Sequence, residues 1–380
     1  MTSRIATLGI ALLAGCWQLD LPEVDRDTAP FDPPVGAPDG WTVERFSTPI
    51  RCPDGEDARF YMLYPEAFDP RVHEDVQALP LAILLHSGSL DFVSEPRPGR
   101  LFDGGSWREE GGGGLRLSGE WAFTHVFTTL GIYPNYDPVE LHAGALPAAL
   151  AAKGIPVMLP ANCWGDLWHN RSGVSPNNYP GDLFFREGRL MAELAWRYAT
   201  TPYPPSNPVE LPVRVDPSRI YLIGLGEGAR GVSELLHANN ESGARLARPA
   251  AAVVDSPLDD YRRFEDLEGG TGFGATRVAL RRIFPDGPDS YAEGSFGTLP
   301  LSRFPERFGV VFSELNSRLP EGANDTLLDR LDELPASNTW LLRSTRQAHV
   351  LSNTDVTLAR SIANFLTDGL PAVAPEHRGD

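Results

Sequence analysis

Positive charge is scarce in this chain. Thirty-three Lys and Arg stand against 51 Asp and Glu, a formal net charge of −18. Phosphate contacts need a basic surface, so nucleic acid is not an expected partner. Long apolar runs are missing too: none reaches the roughly 18 residues that a membrane-spanning helix needs. Cysteine occurs three times, at Cys16, Cys52 and Cys163. The sequence shows no internal repeat. Its 380 residues suffice for a full core in one large or two smaller domains.

The first residues compensate for the missing span. Arg4 supplies a positive charge, residues 5–13 form a short apolar run, and Leu13-Ala14-Gly15-Cys16 ends it. This resembles the bacterial lipobox, which implies a signal peptide over 1–16, acylation of Cys16, and attachment to the cell envelope at the outer membrane or cell surface. Acyl chains would anchor the protein to a membrane without any spanning helix. An ordinary secretory signal with a chance cysteine is the alternative. In an exported protein, Cys52 and Cys163 form either one disulfide or two buried thiols.

Residues 17–40 are rich in Asp and Pro and lack hydrophobic periodicity, which predicts an extended tether. A folded domain is expected over 41–370, with a polar tail over 371–380. Residues 41–48 and 58–64 alternate apolar and polar side chains, as an antiparallel strand pair does. The continuous apolar runs 79–85, 155–159, 219–223, 250–254, 309–312 and 339–342 predict strands covered on both faces. Helical patterns at 141–153, 183–199, 227–237, 325–334 and 355–366 lie between them. Alternating strand and helix gives an α/β fold with an eight-stranded, mostly parallel sheet. Two long insertions, 87–139 and 256–307, leave from the strand ends where such sheets build their sites, and are expected to cap them. The polyglycine of the first, at 111–114, reads as surface ornament and its aromatic part as packed cover.

The stretch 215–239 reads VDPSRIYLIGLGEGARGVSELLHAN. Asp216-Pro217 predicts a turn, 219–223 a strand, Gly224-Leu225-Gly226-Glu227-Gly228 a sharp bend, and the remainder a helix. Strand, glycine-rich turn and helix is the setting of G-x-S-x-G, the nucleophile elbow. From about residue 41 to 366 the chain resembles the α/β-hydrolase superfamily, especially its secreted esterase, lipase and prolyl-oligopeptidase-like branches. The central residue of the elbow, however, is Gly226. A serine hydroxyl must stand there beside an imidazole to attack a carbonyl, and glycine has no side chain.

The resemblance implies the other stations. His86-Ser87-Gly88 follows the third strand, where backbone N–H groups of Ser87 and Gly88, with that of Glu227, would form an oxyanion hole. Gln347-Ala348-His349 precedes the last helix and puts His349 at the position of the base. Asn316 falls at the position of the acid and cannot stabilise an imidazolium as a carboxylate does. Asp325, Glu314 and Asp255, the last at the end of the sixth strand, are alternatives.

Trp164 and Trp168 are expected to wall a cleft that would suit an apolar or carbohydrate ligand. Cys163, Asp166 and His169 match no usual zinc spacing, so no metal is expected. The glycine-rich turn lacks the Lys-Ser/Thr ending of a phosphate loop, so no nucleotide or other cofactor is expected. Three readings of function remain. The first is a lipid-anchored hydrolase-like protein that has lost serine chemistry and binds a small molecule, carbohydrate or protein. The second is an active ester or peptide hydrolase with a displaced nucleophile, such as Ser87 or Ser89, working with His349. The third is a structural envelope protein.

Overall fold

A computed structural model describes residues 25–26, 39–51, 57–85, 145–160, 211–226, 228–238, 248–257, 259, 262, 291, 294–313, 322, 324–344 and 355–369. In chain order the strands are β1 (Asp25–Arg26), β2 (Trp41–Arg51), β3 (Asp57–Pro65), β4 (Leu79–Leu85), β5 (Val157–Pro160), β6 (Val215–Leu225), β7 (Ala251–Asp255), β8 (Arg307–Ser313) and β9 (Thr339–Ser344). The described α-helices are α1 (Ala145–Ala151), α2 (Gly228–Ala238), α3 (Asp325–Glu333) and α4 (Val356–Asp368).

All nine described strands join one sheet in the order β1-β2-β3-β5-β4-β6-β7-β8-β9. β3 runs antiparallel to β2 and to β5. From β5 onward every neighbouring pair is parallel. The antiparallel edge and the parallel remainder follow the pattern expected from the sequence. The expected count of eight falls one short. The ninth strand comes from the tether, where Asp25 and Arg26 pair antiparallel with Ser47 and Phe46 of β2.

Side-chain alternation divides the core between two faces. Leu81, Ile83, Ile220, Leu222, Ala252, Val254, Phe308 and Val310 point to one face and pack with Val232 and Leu235 of α2 and Leu327 and Leu331 of α3. Ala82, Leu84, Tyr221, Ile223, Val253 and Val311 point to the other, under Leu146 and Leu150 of α1 and Ile362 and Phe365 of α4. Helices on both faces explain why β4, LPLAILL, is apolar at every position: all seven residues are buried.

Local chemistry sets the ends. Gly154, at φ 71°, donates to the Ala151 carbonyl and stops α1 as expected. Asp355 caps α4 by accepting from the Thr357 and Leu358 amides, both at 2.9 Å. The turn expected at Asp216-Pro217 is instead an irregularity inside β6. Its register against β4 jumps from Leu79↔Val215 to Leu81↔Ile220. Asp216 holds the extra residues by accepting from the Ser218 amide and hydroxyl and from Arg219. A proline is tolerated in a strand at such a place because the ladder is already interrupted.

The second long insertion ends in two 3₁₀ turns, Phe296–Thr298 and Leu301–Arg303. Phe296, Leu299 and Phe304 are fully buried against the α2/α3 face, with the Phe304 and Phe308 rings 5.0 Å apart edge to face. This described part of the insertion therefore covers a sheet face. The first insertion and the predicted helix at 183–199 lie outside the described residues.

Candidate active site

The C-terminal end of β6 runs directly into α2, and glycine makes that possible. A Cβ on Gly224 would stand 2.6 Å from the Ala229 Cα and N and 2.7 Å from the Gly228 carbonyl oxygen. All three are backbone atoms that no rotamer change can move, so only glycine lets the helix start this close to its strand. Gly226 follows at φ 56°, in the left-handed region. Its amide donates to the Asp255 carbonyl at 2.8 Å, and its own carbonyl accepts from the Ala229 amide at 3.0 Å. The turn is thus fastened both to the neighbouring strand and to the first turn of α2. The turn from strand to helix is sharp, and the residue at its apex carries no side chain.

Asp255 lies one strand over. It is the last residue of β7, opposite Leu225 in the ladder, and is fully buried. Ser256 comes next and is also fully buried, with φ 52°. It is the single non-glycine residue in the left-handed region among the described residues. Its amide donates to the Val311 carbonyl at 2.7 Å, and its hydroxyl donates to Asp255 Oδ1 at 3.0 Å. Ser256 precedes Pro257, and the residue before a proline favours extended backbone. A left-handed serine there costs on the order of 1–3 kcal/mol, and such strain concentrates at functional sites.

Of the carboxylates suggested by sequence, Asp255 lies beside Gly226. Asp325 is exposed at the start of α3, in the layer that packs with the 3₁₀ turn at Phe296–Thr298. His349, Asn316, Glu314, Ser87, Ser89, Gly88, Glu227, Trp164, Trp168 and all three cysteines lie outside the described residues.

Sequence reasoning did not single out Ser256. Its signal was available: a polar Asp-Ser-Pro at the end of an apolar strand, on the sheet edge where α/β folds gather ligands. Asp259 was missed as well. It is almost fully buried and accepts from the Phe296 amide at 2.6 Å, the Gly297 amide at 3.2 Å and the Thr326 hydroxyl at 3.1 Å. Burial pushes its carboxyl above the usual range, against those donors and the nearby Arg230 charge. It ties the second insertion to α3 just beyond the candidate site.

Among the described residues no group of three or more His, Cys, Asp or Glu is placed to hold a metal ion. Among them, too, no helix is long and apolar enough to cross a membrane.

No sequence-family model matches the chain, and no curated protein sequence matches it. Solved structures do. The carboxyl esterase 2 of the mycorrhizal fungus Tuber melanosporum superposes with a TM-score of 0.51 at 15% identity, covering 91% of this chain and 93% of the esterase. An esterase of the fungus Rhizomucor miehei gives a TM-score of 0.51 at 12% identity, covering 88% of this chain and 84% of its own. With the strand order and the β6–α2 turn, these likenesses establish that the chain has the α/β-hydrolase fold.

Proposed function

We propose that this protein is a lipid-anchored, extracytoplasmic member of the hydrolase-like fold that lacks serine-hydrolase activity and works by binding a ligand or partner. One observation carries the reading. The residue at the centre of the elbow is Gly226, held in left-handed backbone by bonds to Asp255 and Ala229. A triad acts as a unit, so loss of its serine alone removes on the order of 10⁶-fold in rate. The lipobox-like Leu13-Ala14-Gly15-Cys16 supports the anchor, and Trp164 and Trp168 support an apolar or carbohydrate ligand.

A second reading, an active ester or peptide hydrolase with a displaced nucleophile, draws on Ser256. That serine has strained backbone, stands beside the empty position and donates to a buried carboxylate. Complete burial of Ser256 argues against it. Treatment of residues 17–380 with a fluorophosphonate, read by peptide mapping, separates the two. No adduct is expected. An adduct on Ser87, Ser89 or Ser256 would make the protein an enzyme.

A further inference from the structure

The tether carries a structural element where its composition predicts none. Asp25 and Arg26 add a short antiparallel strand to the outer edge of β2. That pairing covers part of a sheet edge that would otherwise offer unpaired backbone groups to other chains. It also divides the tether. Cys16 and Asp25 are nine residues apart, whereas Cys16 and Trp41 are 25 apart. Fully extended chain spans at most about 3.4 Å per residue, so the reach from the lipid falls from about 85 Å to about 30 Å.

That difference decides orientation. A folded body of about 330 residues is roughly 50 Å across. A leash of about 85 Å would let it turn any face to the bilayer. A leash of about 30 Å is shorter than the body, so the body cannot stand inverted, with the attachment uppermost and the opposite face flat against the membrane. β9 is eight strand spacings from β1 in the sheet and Gly226, at the end of β6, is five. At about 4.8 Å per spacing these are roughly 38 Å and 24 Å.

We propose that the pairing of Asp25–Arg26 with β2 fastens the tether, so that the lipid on Cys16 holds the β1/β2 edge of the sheet near the bilayer and bars the inverted orientation with the β9 edge straight beneath it. The inference rests on the lipid-anchor reading and adds to it the face that meets the membrane. The candidate site then stands within about 55 Å of the bilayer, summing leash and strand spacings. A ligand is met near the membrane surface, not in the bulk phase.

The test uses the full chain in native membranes. Arg26 is the one Lys or Arg between Cys16 and Arg45, so a tryptic cut there releases the body from the lipid. The strand pairing must open before the protease can cut, which slows the cut roughly tenfold. Release is therefore expected about tenfold more slowly than from the Asp25→Pro variant, in which proline disfavours the strand. Equal rates would overturn the pairing.

The mass of the released N-terminal fragment tests the anchor separately. A fragment without acyl chains on Cys16, with the cut still slow, would remove the anchor reading and the orientation while leaving the strand. A fluorophore introduced at position 341 of β9 completes the test. Energy transfer to a lipid acceptor is expected to be low in the parent and to rise in Asp25→Pro. Equal transfer in the two would overturn the orientation.

Discussion

Substituting Gly224 by alanine puts the geometry of the β6–α2 turn to a direct test. The added Cβ would sit 2.6 Å from two backbone atoms of Ala229 and 2.7 Å from a third, on Gly228. Overpacking a well-filled site ordinarily costs 1–3 kcal/mol. Here the obstacles are backbone atoms, so α2 must shift bodily and the cost should be about 3 kcal/mol. For a domain of about 330 residues that is a fall of roughly 4 °C in Tm. Gly231 provides the comparison. Its Cβ would meet the Leu85 Cδ1 at 2.9 Å, the far end of a flexible side chain. Alanine also gains close to 1 kcal/mol in helix propensity there, so Gly231→Ala should be nearly neutral. Urea unfolding of the two variants beside the parent gives both numbers. A Gly224→Ala unfolding free energy within about 0.5 kcal/mol of the parent's would show that helix and strand are not pressed together as described, and the elbow assignment would fall with it.

Two further outcomes follow from buried polar groups. Asp259→Asn should remove a pH-dependent part of stability. The folded-state carboxyl titrates above its unfolded value near 3.9, so its contribution is fully present below that value and is lost as pH rises through the raised one. The stability of the parent relative to Asp259→Asn should therefore fall with rising pH across that window, as chemical denaturation in a pH series would reveal. Asp355→Ala strips the cap from the Thr357 and Leu358 amides and should destabilise by about 1 kcal/mol in the same assay at neutral pH.

The strands were legible because burial on both faces writes continuous apolar runs into the sequence. Residues 79–85 match β4 at both ends, and 339–342 fall inside β9. The glycines of the elbow were legible for another reason. Close approach and left-handed backbone each demand glycine, and Gly224 and Gly226 meet one demand each. The Asp216-Pro217 turn misled because its turn chemistry is real but is spent on a bulge within a longer strand. The strand at Asp25–Arg26 left no local signal, since a two-residue edge strand is selected by the β2 backbone it pairs with and not by its own side chains. Asp259 was hidden because its partners are 37 and 67 residues away in sequence. The acid and base positions rest on family resemblance, and of the residues weighed for them Asp255 and Asp325 are described; Asp255 is the one that meets the elbow.

On the proposed reading, Gly226 leaves a nucleophile elbow without its nucleophile. The most direct test of that reading is to restore one. Gly226→Ser places a hydroxyl on the turn at a backbone cost of about 1–2 kcal/mol for φ 56°, which a domain of ordinary stability tolerates. Residues 17–380 would be treated with a fluorophosphonate as the parent, as Gly226→Ser, and as Gly226→Ser with His349→Ala, and read by intact mass and peptide mapping. On this reading no adduct forms on the parent, one forms at position 226 in the single variant, and the double variant loses it. A parent labelled at another serine, or a folded Gly226→Ser that stays unlabelled, would contradict it.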